Sequence, residues 1–399
     1  MSSKSKRWLA GGMAGLLAIL LLQKGCGIWS VRVHLPVSGA ATLPTGVITP
    51  EFASGDGFGV LLASDGSLWS WGANPGLGYD DIDRTPRLRR VDEGNHWRDI
   101  AAADRHGLAI KDDGTLWTWG KNSYGQLGDH RNWEEPAEPT QYVKGNDWKQ
   151  VATGLGSSYA IKRDGSLWSW GFGDFGQLGR GKIGGSTSPA KVGDAKWRVV
   201  RAGYLNAAGI QEDGTLWVWG CSPSLGDHGY KSDQNLTTPV RISPDKDWSD
   251  VSVGAEVVFA LKPDGTLWAW GNMSALYTDS PEDAAKGALA RVGKESGWKK
   301  ISCNFSVLCA ERDDGTYWTA ATREHGKSKP YKSARWTQVA LGFKPILFAG
   351  GVDYSIALSA DGAMWTWGRE LGLQTPITGE TAKPSPVWDI PWRLSTTEN

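Results

Sequence analysis

Apolar and polar positions between residues 49 and 395 follow one pattern, written seven times. An apolar slot, usually Trp, precedes a second apolar residue by three positions. A small-residue turn follows, then an apolar run, an Asp-Gly pair and a short alternating stretch. The Asp-Gly pairs are Asp65-Gly66, Asp113-Gly114, Asp164-Gly165, Asp213-Gly214, Asp264-Gly265, Asp314-Gly315 and Asp361-Gly362. In six copies a Trp-Gly pair closes the stretch, ending at Gly72, Gly120, Gly171, Gly220, Gly271 and Gly368. A period of about fifty residues with an uninterrupted core segment marks a repeat architecture.

Counting ten residues back from each turn Asp reaches Gly55, Ala103, Gly154, Gly203, Gly254, Asn304 and Gly351. Six residues earlier stand Trp97, Trp148, Trp197, Trp248 and Trp298, with Thr49 and Pro345 in the first and last copies. Three after that slot come Phe52, Ile100, Val151, Val200, Val251, Ile301 and Phe348, all apolar. Each unit predicts four short strands: a around the Trp slot, b such as Tyr159–Ile161, c such as Leu167–Trp170, and d beginning near Pro139, Pro189 or Pro239. Four short strands bounded by turn signals make a propeller blade. The expected fold is therefore all-β, a seven-bladed β-propeller over residues 49–395 with a tail at 396–399. Residues 386–395 or 44–54 could supply the strand that closes the ring. The b–c turn calls for Gly because its second residue needs a positive φ. Alternation in strand c puts Trp168 and Trp170 on one face, as suits a blade pressed between two neighbours.

Residues 1–29 break the pattern. Lys4, Lys6 and Arg7 precede an uncharged run from Trp8 to Leu22, and Gln23-Lys24 ends it. The run predicts an N-terminal hydrophobic helix with its positive flank in the cytoplasm. An uncleaved signal anchor, a single-pass transmembrane segment, is the favoured reading, because Ser38-Gly39-Ala40 lies far downstream for cleavage. Secretion after cleavage comes second. Lipidation of Cys26 comes last, since the Leu expected three residues earlier is missing. Residues 30–48, with Pro36, Pro44 and no periodicity, read as a linker. These features place the propeller in the periplasm, anchored to a bacterial inner membrane.

Charge and chemistry narrow the picture further. Lys+Arg and Asp+Glu both total 43, so nothing points to nucleic acid. Most of the 24 tryptophans fall at repeat positions, which marks them as packing material. Gly171–Gly176 fits GxGxxG but leads into a strand rather than a helix, so it lacks a phosphate-cradling N-terminus. The six histidines have no metal-ligand spacing, and Asp80, Asp81 and Asp83 read as a solvated loop. No cofactor, metal or catalytic motif is expected. Cys303 and Cys309 flank the turn of the sixth copy. A tight hairpin would bring them close, and an exported propeller could join them as a disulfide. Two small buried residues in a worn blade is the alternative.

The run Trp-Gly-x-Asn-x-Tyr-Gly-Gln-Leu-Gly at Trp119–Gly128, and its partner ending Gly176-Gln177-Leu178-Gly179, resemble the signature of the regulator of chromosome condensation (RCC1) repeat family. The resemblance implies a seven-bladed propeller. The family's frequent His after the small-residue turn is kept at His106, and the sixth copy is the most worn, with Ala320-Ala321 in place of Trp-Gly. The family's best-known activity, guanine-nucleotide exchange on a small nuclear GTPase, depends on an inserted wedge and a basic tail that are not evident here. Bacterial relatives of this fold with such an N-terminus resemble extracytoplasmic recognition modules, among them protein inhibitors of β-lactamases.

In a four-stranded meander the a–b and c–d connections leave one end of the ring. Here they vary and carry aromatics among mixed charges, the composition of a protein-binding surface. The residues expected to contact a partner are Tyr79, Arg105, His106, Trp133, Phe172, Tyr204, Tyr230, Glu256, Tyr277 and Phe305. Tyr124 and Phe175, each followed by Gly-Gln-Leu-Gly, read instead as structural. The function expected is non-catalytic protein binding, more narrowly as an inhibitor or immunity protein of an envelope enzyme or toxin. An enzyme with residues around the central channel is the other class.

Overall fold

The computed structural model describes residues 46–72, 78, 89–129, 136–221, 235–255, 257–271, 289–304, 307–321, 336–351, 354–368 and 385–386. All regular structure among them is strand, arranged as seven antiparallel meanders in sequence order. Each blade comes from one contiguous stretch. Strand a is innermost: Glu51–Gly55, Trp97–Ala103, Trp148–Thr153, the second half of Ser186–Ala202, Asp250–Val253, Trp298–Asn304 and Pro345–Gly350. Each of these contacts the next, and the seventh contacts the first, so the inner strands form a closed ring.

The register settles how the ring ends. Ser385–Pro386 pairs with strand c of blade 7, and Glu51–Gly55 is the inner strand of blade 1. No strand is exchanged between the first and last blades among the described residues. They meet through side chains, where Phe52, Leu61 and Trp71 pack with Leu347, Tyr354, Ile356 and Leu358. Strand d is the weakest element. In blade 2 it is reduced to one bridge between Thr118 and Thr140. Between blades 3 and 4 the expected d and a strands are a single 17-residue strand, Ser186–Ala202.

The Asp-Gly turn is a small machine for placing tryptophan. All seven turn glycines have positive φ, from 76° to 85°, which a Cβ would disfavour. In blades 1 to 6 the Asp carboxylate accepts from the backbone N–H and the hydroxyl of the Ser or Thr two residues on. That hydroxyl accepts in turn from the indole N–H of the first strand-c Trp: Trp69, Trp117, Trp168, Trp217, Trp268 or Trp318. The bonds hold the carboxyls of Asp113, Asp164, Asp213, Asp264 and Asp314 below the usual range, chiefly through the hydroxyl.

Each oriented ring meets the strand-a Trp edge-on, at 6.1 to 6.5 Å in blades 2 to 6. A cation closes the cluster in four of them. Lys111 lies 4.1 Å from the Trp117 ring and 4.6 Å from Trp97; Lys162, Lys262 and Arg312 hold equivalent places. In blades 1 to 5 the second strand-c Trp, Trp71, Trp119, Trp170, Trp219 or Trp270, is fully buried. Worn blade 6 compensates for Ala320 with Trp336, stacked 4.7 Å from Trp298.

Residues 1–45 lie outside the described residues, so the expected hydrophobic helix does too. Among the described residues no helix is long and apolar enough to cross a membrane.

Candidate recognition surface and central channel

The c–d loops of blades 2 and 3 are locked from within. Gln126 and Gln177 are fully buried, and their side-chain oxygens accept from the backbone N–H of Tyr124 (2.8 Å) and Phe175 (2.9 Å). Their backbone carbonyls accept from the indole N–H of Trp170 and Trp219, each in the following blade. The Gly-Gln-Leu-Gly motif is thus a clamp that ties a surface loop to the neighbouring core. Bonds from both the side chain and the backbone of each Gln hold this part of the loop against the next blade.

On the clamps stands an aromatic ridge. Tyr124 and Phe175 are 41% and 36% exposed, and Phe172 sits between them, 4.6 Å from Tyr124 and 5.8 Å from Phe175. The motif is structural, as its sequence suggests, but the rings before it are not. They project from it, which corrects the reading of Tyr124 and Phe175 as packing residues.

Of the other expected contact residues, Tyr204 is 45% exposed. Arg105 is exposed and lies 3.7 Å from Asp56. His106 is a correction: it is completely buried. Its Nε2 lies 3.1 Å from the Ser158 hydroxyl, and burial drives its pKa down to about 3. It is a neutral strut between blades 2 and 3, with no surface for a partner. Tyr79, Trp133, Tyr230, Glu256, Tyr277 and Phe305 lie outside the described residues.

The disulfide expectation also fails. Cys303 and Cys309 are free thiols. Cys303 pairs in register with Leu308, and Cys309 with Ser302. A one-residue offset across a pleated pair sends the two side chains to opposite faces. Cys303 packs on the blade 5 side and Cys309 on the blade 7 side. Burial pushes the Cys309 thiol up to about 12 and raises Cys303 as well.

The seven inner strands enclose a central channel with a cavity of about 510 Å³. Seven charged residues line it: Glu51, Asp99, Arg201, Asp250 and Lys300 from strand a, and Asp56 and Asp104 from the a–b turns of blades 1 and 2. Sequence reasoning missed them because they come from five different blades, about fifty residues apart. The available signal was their shared register: Glu51, Asp99, Asp250 and Lys300 all stand two residues after the Trp slot. Asp99 accepts from the Val151 N–H of the next blade at 2.5 Å. Gln150, at the same register, pairs with both the N–H and the carbonyl of Val200. Burial is the main cause that raises the carboxyls of Glu51 and Asp99, and the Glu51 charge adds to the rise at Asp99. Asp250 is raised for the same reason. Among the described residues no three His, Cys, Asp or Glu side chains are grouped to hold a metal ion.

A closed ring of seven meanders, with clamped loops over a charged channel, defines a repeat-built β-propeller. Models of the regulator of chromosome condensation (RCC1) repeat match residues 97–126 and 148–177, and residues 113–161 and 164–204, the blades that carry the clamps. Over these residues the chain carries the RCC1 repeat, as the resemblance of its Gly-Gln-Leu-Gly runs implied. It is 31% identical over 257 residues to the human E3 ubiquitin-protein ligase HERC2, a match covering 58% of this chain and 5% of HERC2. The chain thus spans about a twentieth of that relative. Among solved structures it is similar to human WBSCR16, with a TM-score of 0.66 at 20% identity, covering 77% of this chain and 86% of the other. Prp20p from Saccharomyces cerevisiae gives 0.64 at 19% identity, covering 77% and 81%.

Proposed function

We propose that the propeller is a non-catalytic protein-recognition module that docks a partner protein on its a–b/c–d face. The observation that carries this reading is the ridge of Tyr124, Phe172 and Phe175 on clamped loops. Rigid, partly exposed aromatics lose little entropy on binding and bury much area, the properties of interface hot spots. Lys121 lies 5.9 Å from the Tyr124 ring, and Tyr204 and Arg105 extend the surface with polar reach. Prp20p, of similar fold, is described as binding Gsp1p and histones. That precedent supports a propeller of this shape serving as a protein-binding surface.

The N-terminal pattern supports anchoring to a bacterial inner membrane, with the propeller in the periplasm, or secretion after cleavage. The partner is then an envelope protein, and an enzyme or toxin held inactive is the sharper form of the same reading. Nucleic acid is not the expected ligand, since the net charge is zero.

The test is affinity capture from envelope extract with three baits: the full chain, a Tyr124→Ala/Phe175→Ala variant, and Lys246→Ala on the opposite end. One stoichiometric protein retained by the first and third baits and lost by the second supports the reading. Equal retention by all three moves the interface off this face. An alkaline phosphatase fusion at the C-terminus reports the compartment separately.

A further inference from the structure

The charges of the channel are arranged for a guest rather than for each other. Arg201 and Lys300 line the same cavity as Glu51, Asp99 and Asp250. They feel one another's fields: Arg201 acts on all three carboxyls, and Lys300 on Glu51 and Asp250. Yet among the described residues neither cation comes within 4 Å of a carboxylate oxygen, whereas eleven ion pairs form elsewhere. The one hydrogen bond of the Arg201 side chain goes to the Val200 carbonyl. Opposite charges held apart in a recess forfeit their mutual attraction while keeping the cost of desolvation.

The repeat itself supplies the comparison. Arg201 stands four residues after the Trp slot, where the other blades place Ala53, Ala101, Ala152, Ser252, Ser302 and Ala349. Six blades thus fold with Ala or Ser there, so the blade does not need the guanidinium. The same small residues leave open the space that Arg201 enters. The carboxylates are not needed for strand pairing either, since Gln150 makes the equivalent cross-blade bonds as a neutral amide. A cavity of about 510 Å³ is within the usual range of small-molecule sites.

We infer that the central channel is a binding site for a small zwitterion, a free α-amino acid or short peptide. Arg201 and Lys300 take its carboxylate, and Glu51, Asp99 and Asp250 take its ammonium group. The ligand restores the pairing that the side chains do not make among themselves. The charged side chains of the site stand on strand a and include no residue of the aromatic ridge, while Tyr204 lines the cavity as well as the partner surface.

The experiment is isothermal titration calorimetry of the full chain with the common α-amino acids and glycylglycine. Propionate and ethylamine, each carrying one of the two charges, serve as controls. The expected result is one-to-one saturable binding of at least one zwitterion, with both controls at least tenfold weaker. Arg201→Ala and Glu51→Gln should each weaken binding at least tenfold. Both variants copy residues that other blades already carry, and a single cooperative melting transition for each confirms that it folds. Two results overturn the assignment: no saturation by any zwitterion up to ~10 mM, or binding unaffected by both substitutions. Equal binding of propionate overturns the zwitterion and leaves an anion site.

Discussion

The Asn304 amide donates to the Ser54 carbonyl at 3.0 Å and to its hydroxyl at 2.7 Å, across 250 residues of sequence. Asn304 ends strand a of blade 6, and Ser54 lies near the end of strand a in blade 1. Blade 7 stands between them in the ring and offers Gly350 and Gly351 at this level. The missing side chains of that pair leave the path open. The bond therefore helps fasten a ring that exchanges no strand between its first and last blades among the described residues.

Asn304→Ala should lower unfolding stability by ~1–2 kcal/mol, because it leaves a carbonyl and a hydroxyl without their donor. Ser54→Ala should cost less, since the Ser54 carbonyl remains as an acceptor. Urea unfolding monitored by tryptophan fluorescence ranks the two, and the reverse order would remove this bond from the closure.

Stability should fall on both sides of a mildly acidic optimum. Glu51, Asp99 and Asp250 have carboxyls raised by burial. Their contribution is complete below the ordinary carboxylate pKa and is lost as pH rises through the raised values. The turn aspartates Asp113, Asp164, Asp213, Asp264 and Asp314 are lowered. Their contribution is present above the ordinary pKa and is lost as pH falls through the lowered values. Glu51→Gln should flatten the alkaline side of a Tm-against-pH curve and leave the acid side unchanged. An unaltered alkaline limb would show that Glu51 does not carry it.

Removing one relay hydroxyl should loosen one tryptophan only. Thr266→Ala takes away the acceptor of the Trp268 indole N–H and one donor to Asp264. The expected cost is ~0.5–1.5 kcal/mol, because the half-buried ring can turn its N–H to water. Blade 7 already carries Ala363 at this place. Denaturant melts give the cost, and a fall above ~3 kcal/mol would point to a packing role instead.

Gly209→Ala should be far worse than its size suggests. A Cβ there would lie 2.8 Å from Cε3 and Cζ3 of the buried Trp197 ring. The ring has no free space to yield, so the expected loss is ~1–3 kcal/mol by denaturant unfolding. A neutral result would mean that the strand-b glycines are not placed for ring clearance.

The ridge should behave in the opposite way. Tyr124→Ala and Phe175→Ala remove exposed rings and should change stability by less than ~1 kcal/mol. Phe172→Ala should cost more, since this ring packs against both others. Circular dichroism melts of the three variants separate surface from support.

Period, blade number, the strand order and the turn glycines were all legible in the sequence. Each depends on contacts within about fifty residues that recur seven times, so local chemistry specifies them. The apolar residues three places after the Trp slot went where the pattern put them. Tertiary structure decided the rest. His106 and Tyr124 are both polar aromatics of blade 2, one opening strand b and one in the c–d loop, yet one became a buried strut and the other a projecting ring. Only the packing of blade 3 against blade 2 distinguishes them. Cys303 and Cys309 sit on one hairpin, and the pairing register alone sends them to opposite sides. The channel charges are invisible as a group until the ring closes. Repetition determines a blade, whereas burial, register and convergence on an axis belong to the assembled ring.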